Sequence, residues 1–494
     1  MTTTPISRRA FLGRGIGTLG AVYFLDGGGR ALASAPAPAT TLPPTTDPRD
    51  LSSFGFMFPR LRPFRPDADP NVTVANLAAL AQSMQDPNLP AQDNLDSMSG
   101  LTYAGQFIDH DLTLDLVPQP NTFIDPTTIN NYETFRFDLS SLYGGGPRVS
   151  PQLYEPDRVH FLVQETNVNG VRDLPRNPDG TAILVEHRND ENEIISQIHT
   201  LFLKFHNAVV DQLGLGFEEA RAMVIRYYQW FVLHEFLPDI VGQDVVDGML
   251  RGKIRQFYNP GNPRRCMTPV EWSTAAYRFG HSMVRLAYQV TTQTGKIQVF
   301  NAAGNDLHGG RPLPFGRQID FGQFLTQLRR PENDDAHFNF PRFIDTLISK
   351  SLFALPIGGP SGAEASGSNT LPFRNLVRGF FYGTPSGQDV AAAMRVPVIA
   401  PTDAIDPAVV PGFQTATPLW YYILKESELQ GGKKLGTVGG RIVADVFLGL
   451  LRADGDGLLH PDFRRFKPMP PIASAPGQFS LADAAVFAGV AVRP

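Results

Sequence analysis

One short run concentrates side chains able to do acid–base chemistry: Gly105-Gln106-Phe107-Ile108-Asp109-His110-Asp111. Two carboxylates flank one imidazole, and a side-chain amide precedes it by four positions. On a helix, Gln106 and His110 share a face at i and i+4. Asp109 and Asp111 then point about 100° to either side of His110. Three adjacent residues splayed in this way do not suit one metal ion. The arrangement suits His110 facing a reaction centre, one carboxylate serving that centre and the other serving something else. The plain alternative is a helical turn with acidic residues near a positive dipole end, and the local sequence leaves both readings open.

Elements able to position such a run are legible along the chain. Ile194, Ile195, Ile198, Leu201, Phe202, Phe205 and Val209 recur with the helical period. A second helix is expected from Phe217 to about Leu237, stopped by Pro238, a third around Trp272 to Leu286, and a fourth near Val438 to Leu451. Alternating strand patterns are scarce, and Gly358 to Thr370 reads as a Gly/Ser-rich loop. The expected fold is mainly α: one large helical domain over 71–494 with long loops and few strands.

With 494 residues and 42% hydrophobic content, the chain can bury a sizeable core. A formal charge of −5 offers no basis for a nucleic-acid partner. A single cysteine, Cys266, rules out an internal disulfide framework. At the N-terminus, Arg8-Arg9 precede a mildly apolar, Gly-rich segment to Leu25, and Ala31-Leu32-Ala33 offers a cleavage site. Residues 1–33 therefore read as a twin-arginine export signal, and 34–70, rich in Pro, Ala and Thr, as an extended arm. The mature protein is expected to be secreted or periplasmic, without a transmembrane segment.

Several segments, taken in order, resemble the animal-type haem peroxidase superfamily. Gln106 to Asp111 is similar to its distal-histidine motif, and Thr134-Phe135-Arg136-Phe137-Asp138-Leu139-Ser140 to its calcium loop. Arg188-Asn189-Asp190-Glu191 before His199 resembles the catalytic-arginine segment, and Tyr277-Arg278-Phe279-Gly280-His281 the proximal-histidine segment. Asn375-Leu376-Val377-Arg378 and the region from Gly439 to Asp456 also find counterparts.

The resemblance implies a haem-dependent peroxidase that reduces hydrogen peroxide while oxidising small donors such as phenols, iodide and bromide. His281 would be the axial ligand of haem b, Arg278 would meet a propionate, and Asn375 would accept the other ring N–H of His281. His110 would move the peroxide proton, Arg188 would stabilise developing negative charge, and Gln106 would hold distal water or a halide. Asp109 and Glu191 match the carboxylates that can ester-link the haem. Asn192 stands where a sulfonium link needs methionine, so none is expected. Asp111, Thr134, the Arg136 carbonyl, Asp138 and Ser140 match a site for Ca2+.

The chain departs from the family after Arg378, where Gly379-Phe380-Phe381-Tyr382-Gly383 replaces a polar continuation. Asp454-Gly455-Asp456 is too short for a calcium loop, and His199 and His206 read as structural. Two other readings compete with this one. A haem fatty-acid dioxygenase of the cyclooxygenase-like branch would carry a tyrosine where Arg278 stands. An exported, non-catalytic calcium-binding or adhesive protein is disfavoured by the joint presence of His110, Arg188 and His281.

Overall fold

The computed structural model describes residues 52–87, 93–117, 119–262, 265–301, 304–330, 337–355 and 370–494. Within the N-terminal unit, Met1–Leu42, it gives one antiparallel strand pair, Phe24–Leu25 with Ala31–Leu32. The export-signal reading and the loop at 358–369 otherwise lie outside the described residues.

The second unit, Pro43–Pro494, is mainly helical, and its described strands are short. At its centre lies the 21-residue helix Glu193–Leu213, capped by the Asn192 side chain and closed by Gly214 at φ 64°. Its apolar stripe is wide enough to be covered on several sides. Phe107 of helix Ser99–Leu112 stacks on Phe202 at 4.8 Å and 1°, while Phe205 meets Phe479 and Phe487. Helix Phe217–Phe231 also packs along it. Helix Thr437–Ala453, buried along most of its length, crosses beside helix Leu419–Leu429. Each Phe or Leu so covered contributes about 1.5–3 kcal/mol relative to an exposed one.

Three expectations are corrected. Pro238 does not end the second helix. The chain passes through a π-helical turn, Val232–Phe236, into helix Leu237–Val241, where proline sits in the first turn and needs no N–H partner. The actual stop is Gly242, at φ 92°. The helix expected from Trp272 to Leu286 is broken into Val270–Ser273, a 3-10 turn Ala276–Phe279 and Gly280–Met283. Ala275 interrupts it at φ −135°, ψ −74°, outside the helical basin.

The third correction concerns the described part of the N-terminal arm. Strand Ser52–Gly55 lies between Asn130–Asn131 and Thr268–Pro269 in a three-stranded sheet. Phe54, Met57, Phe58 and Phe64 are buried, and Glu271 accepts the Met57 and Phe58 N–H groups at 2.9 Å each. Aromatic burial overrides the proline-rich composition that suggested an extended arm.

Candidate functional site

Helix Ser99–Leu112 presents two faces that differ in kind. Leu101, Ala104, Ile108 and Leu112 are sealed in the core, whereas Gly105, Gln106 and Asp109 keep partial exposure although the helix is central. Arg188, Glu191, Arg278 and His281 are half-buried in the same way. Groups of this polarity are packed into the middle of the fold and yet keep partial exposure.

His110 lies on the border between these faces, 4% exposed. Its Nδ1 donates to Asn189 Oδ1 at 2.8 Å, and Asn189 Nδ2 in turn donates to His199 Nδ1 at 3.0 Å. Burial pushes both imidazoles down to about 3, so they are neutral near pH 7. Nε2 of His110 has no hydrogen-bond partner among the described residues and is therefore free to accept a proton.

Arg188 is anchored rather than free. Its Nε and NH2 groups grip Glu186 at 2.9 and 2.8 Å, and NH2 also reaches the Thr113 carbonyl at the end of the His110 helix. The buried Glu186 carboxylate holds the guanidinium firmly protonated despite burial. Gln106 Nε2 donates to Glu191, whose carboxyl is pushed up to about 7 by burial. Burial also raises Asp109, opposed by the charges of Arg188 and Arg278. Asp109 thus sits within the fields of a cation from each side of the site. Asn192 spends its side chain on capping the following helix, through the N–H groups of Ile194 and Ile195.

The backbone beside these residues is clamped from behind. Gly309 N–H donates to Glu191 O at 3.0 Å, and Gly310 N–H to Asp190 O at 2.7 Å. Arg176 chelates Asp190 at 2.7 and 2.9 Å and also pairs with the fully buried Asp173.

Across from this group, the 3-10 turn and Gly280–Met283 place Arg278 and His281 in successive short turns. Tyr277 Oη donates to the Gly105 carbonyl at 3.2 Å, tying the two sides together, and Trp272 stacks on Tyr277 at 4.7 Å. Asn375, fully buried on helix Leu371–Phe381, meets His281 as expected, but with the opposite polarity. Asn375 Nδ2 donates to His281 Nδ1 at 2.8 Å, because Arg278 NH1, a donor only, takes the amide oxygen at 2.7 Å. Ligation through a bare His281 Nε2 requires the amide to turn its oxygen to the ring, and so requires Arg278 to move off it. Burial lowers Arg278 to about 10. The apolar run after Arg378 leaves Asn375 in place: Phe380 and Phe381 pack on Phe123, and Phe380 also meets Phe64.

The five oxygen donors singled out for a cation fall in one neighbourhood. Asp111 accepts from the N–H groups of Leu139 and Ser141 and from Ser141 Oγ. Asp138 accepts from Thr134 Oγ1 at 2.9 Å and Ser140 N–H at 3.1 Å. The Arg136 carbonyl accepts the Asp138 N–H at 3.0 Å. Burial, with repulsion from Asp138, raises the Asp111 carboxyl. Among the described residues no group of three or more His, Cys, Asp or Glu side chains surrounds a metal position. This cluster has two carboxylates, its other donors being neutral oxygens.

Sequence reasoning missed Glu186, which positions Arg188, and Asn189, which joins His110 to His199. It also missed the tie from Tyr277. Position alone does not signal Asn189, since it is simply the polar residue after Arg188.

The description "Animal haem peroxidase" matches residues 113–308, a span that holds Thr134 to Ser140, Arg188, Glu191, Arg278 and His281. Over residues 113–308 the chain is therefore similar to the animal haem peroxidase family. A peroxidase-like protein of Margaritifera margaritifera is 26% identical over 348 residues, 65% of this chain and 42% of that protein. The chain spans less than half the length of the first curated relatives it matches. Among solved structures, peroxidase A of Dictyostelium discoideum superposes with a TM-score of 0.59 at 18% identity, covering 84% of this chain and 89% of that one. The fatty acid alpha-dioxygenase of Oryza sativa, with palmitic acid, superposes with a TM-score of 0.57 at 14% identity, over 82% and 76% of the two chains. These likenesses show that the fold shared with those two structures extends beyond residues 113–308.

Proposed function

We propose that this chain is a haem-dependent peroxidase that reduces hydrogen peroxide and oxidises small donors: phenols, iodide and bromide. One observation carries the reading: a neutral His110 with a free Nε2 neighbours Arg188, and Asp109 lies in the fields of both Arg188 and Arg278, which shares Asn375 with His281. Half-buried carboxylates and two imidazoles fit a haem, once the Asn375 amide turns its oxygen to His281. His281 would hold the iron, with Arg278 at a propionate and Asp109 and Glu191 as ester candidates. The bound group would supply an iron centre that gives the O–O bond of peroxide the electrons needed to reduce it and regains them from the small donor.

The protein's own part is proton movement and charge. His110 Nε2 takes the peroxide proton and returns it to the leaving oxygen, a task for a neutral base within hydrogen-bond reach. Arg188, fixed by Glu186, supplies positive charge beside it. Ca2+ at Asp111, Thr134, the Arg136 carbonyl, Asp138 and Ser140 would hold the helix that carries His110. An exported protein fits the N-terminal pattern, and no helix among the described residues is long and apolar enough to cross a membrane.

The dioxygenase reading shares the fold, but Arg278 occupies the expected tyrosine position, and the Tyr277 hydroxyl is spent on the Gly105 carbonyl. Steady-state kinetics with peroxide plus bromide, iodide or a phenol, against oxygen uptake with linoleate, decide between them. Peroxide-driven donor oxidation is expected. Efficient linoleate oxygenation with negligible donor oxidation overturns the proposal. Haem that stays with the protein in acidified solvent after peroxide turnover supports the ester links, and free extraction refutes them.

A further inference from the structure

We propose that Asn189 and His199 are positioning residues that fix the tautomer of His110, presenting Nε2 of that ring to peroxide as a bare base. This rests on the peroxidase reading and adds a hydrogen-bond chain to it.

The argument is one of donors and acceptors. A side-chain amide offers an oxygen that only accepts and a nitrogen that only donates. Asn189 stands between two imidazoles, at 2.8 Å from His110 Nδ1 and 3.0 Å from His199 Nδ1. It can satisfy both only if they adopt opposite tautomers. The ring facing the oxygen must carry its proton on Nδ1, and the ring facing the nitrogen must carry it on Nε2. The orientation observed gives the Nδ1–H form to His110, the form in which Nε2 can accept. All three residues are nearly sealed: Asn189 is 0% exposed, His199 2% and His110 4%. Water therefore does not replace the amide, and a buried polar contact left unmade costs about 1–3 kcal/mol.

The parts are rigidly held. Asn189 lies in the 3-10 turn His187–Asp190, with Arg188 bound to Glu186 on one side and Asp190 clamped by Arg176 on the other. His199 sits on the long central helix, and Phe107, three residues before His110, packs edge-on against its ring at 6.1 Å. Rotation of the amide would thus demand that both histidines exchange protons together.

The test reads the ring nitrogens directly. Long-range 1H–15N spectra of 15N-histidine-labelled full-length chain would be recorded haem-free and as the diamagnetic ferrous carbonyl form. Wild type is expected to show Nδ1–H for His110 and Nε2–H for His199. Asn189→Ala should give His110 a mixture of tautomers and slow the reaction with peroxide about 10- to 100-fold, with the Soret band unchanged. Asn189→Asp, which keeps an acceptor, should restore the Nδ1–H form of His110 and move His199 to Nδ1–H. The Nε2–H form of His110 in wild type, or an Asn189→Ala chain with wild-type tautomer and peroxide rate, overturns the proposal. If the chain takes up no haem, the peroxidase reading fails, and the haem-free spectra still decide the tautomer.

Discussion

Gly309 offers a steric test of how tightly the segment that carries Arg188 and Glu191 must be held. A methyl at this position would lie 2.6 Å from the carbonyl carbon of Asp190 and closer still to its oxygen, with Asn192 N at 2.9 Å. Non-bonded carbon contacts relax at about 3.5–4.0 Å, so Gly309→Ala must push the two backbones apart by roughly 1 Å. The hydrogen bonds from Gly309 to Glu191 and from Gly310 to Asp190 would be lost or stretched. Overpacking of this kind costs about 1–3 kcal/mol of stability. A 1 Å displacement at a reacting group costs about 100-fold in rate. The comparison variant is Gly310→Ala. A methyl at Gly310 meets nothing within 4 Å, and only its φ of +70° opposes the change. That strain is worth about 1–2 kcal/mol and leaves Glu191 and Arg188 where they are. Thermal unfolding, the Soret band and kcat/KM for peroxide-driven bromide oxidation are measured on both. Gly309→Ala should lose stability and most of its activity. Gly310→Ala should lose stability alone. Equal activity in the two variants would refute the idea that the 307–310 segment sets the position of Glu191 and Arg188.

Other outcomes follow from the same geometry. His281→Ala should abolish the Soret band while far-UV circular dichroism stays near wild type, and a normal haem spectrum in that variant removes His281 as ligand. Chelation of calcium should lower Tm and activity together, since an ion bound only to the folded state stabilises it by mass action; metal analysis that finds no calcium in active protein counts against the site. Arg176→Ala should cost about 3–5 kcal/mol in urea unfolding, because it strands Asp173 and Asp190, both buried, without their cation. His199 and His206 are lowered by burial to about 3 and about 4, below the unfolded value near 6.5. A lowered histidine contributes stability above the unfolded pKa that is lost as pH falls toward the folded one. Each should therefore remove about 1.4 kcal/mol per pH unit between roughly pH 6 and 4, read as the difference in slope between wild type and the His199→Gln, His206→Gln double variant because buried carboxyls such as Glu235 and Glu426, raised to about 7, act in the opposite sense; equal slopes would contradict their neutrality.

What the sequence determined by itself is local. The central helix from Glu193 follows from hydrophobic period and an Asn cap, which act within a few residues. Residue types at fixed spacing, read with the family resemblance, also singled out His110, Arg188, Glu191, His281 and the oxygen cluster after Asp111 as candidates. Tertiary structure decided whatever depends on which neighbour reaches a donor or acceptor first. Arg278 and Asn375, 97 residues apart, meet through a donor-only guanidinium, and that reverses the amide expected to accept from His281. Asn189 and His110 are 79 residues apart, and nothing in either local sequence forecasts their bond. The π-helical turn before Pro238 and the break at Ala275 likewise come from packing, which outweighed a continuous helical pattern. Periodicity is a property of one segment, whereas hydrogen-bond polarity in a sealed core is settled by competition among segments brought together only in the fold.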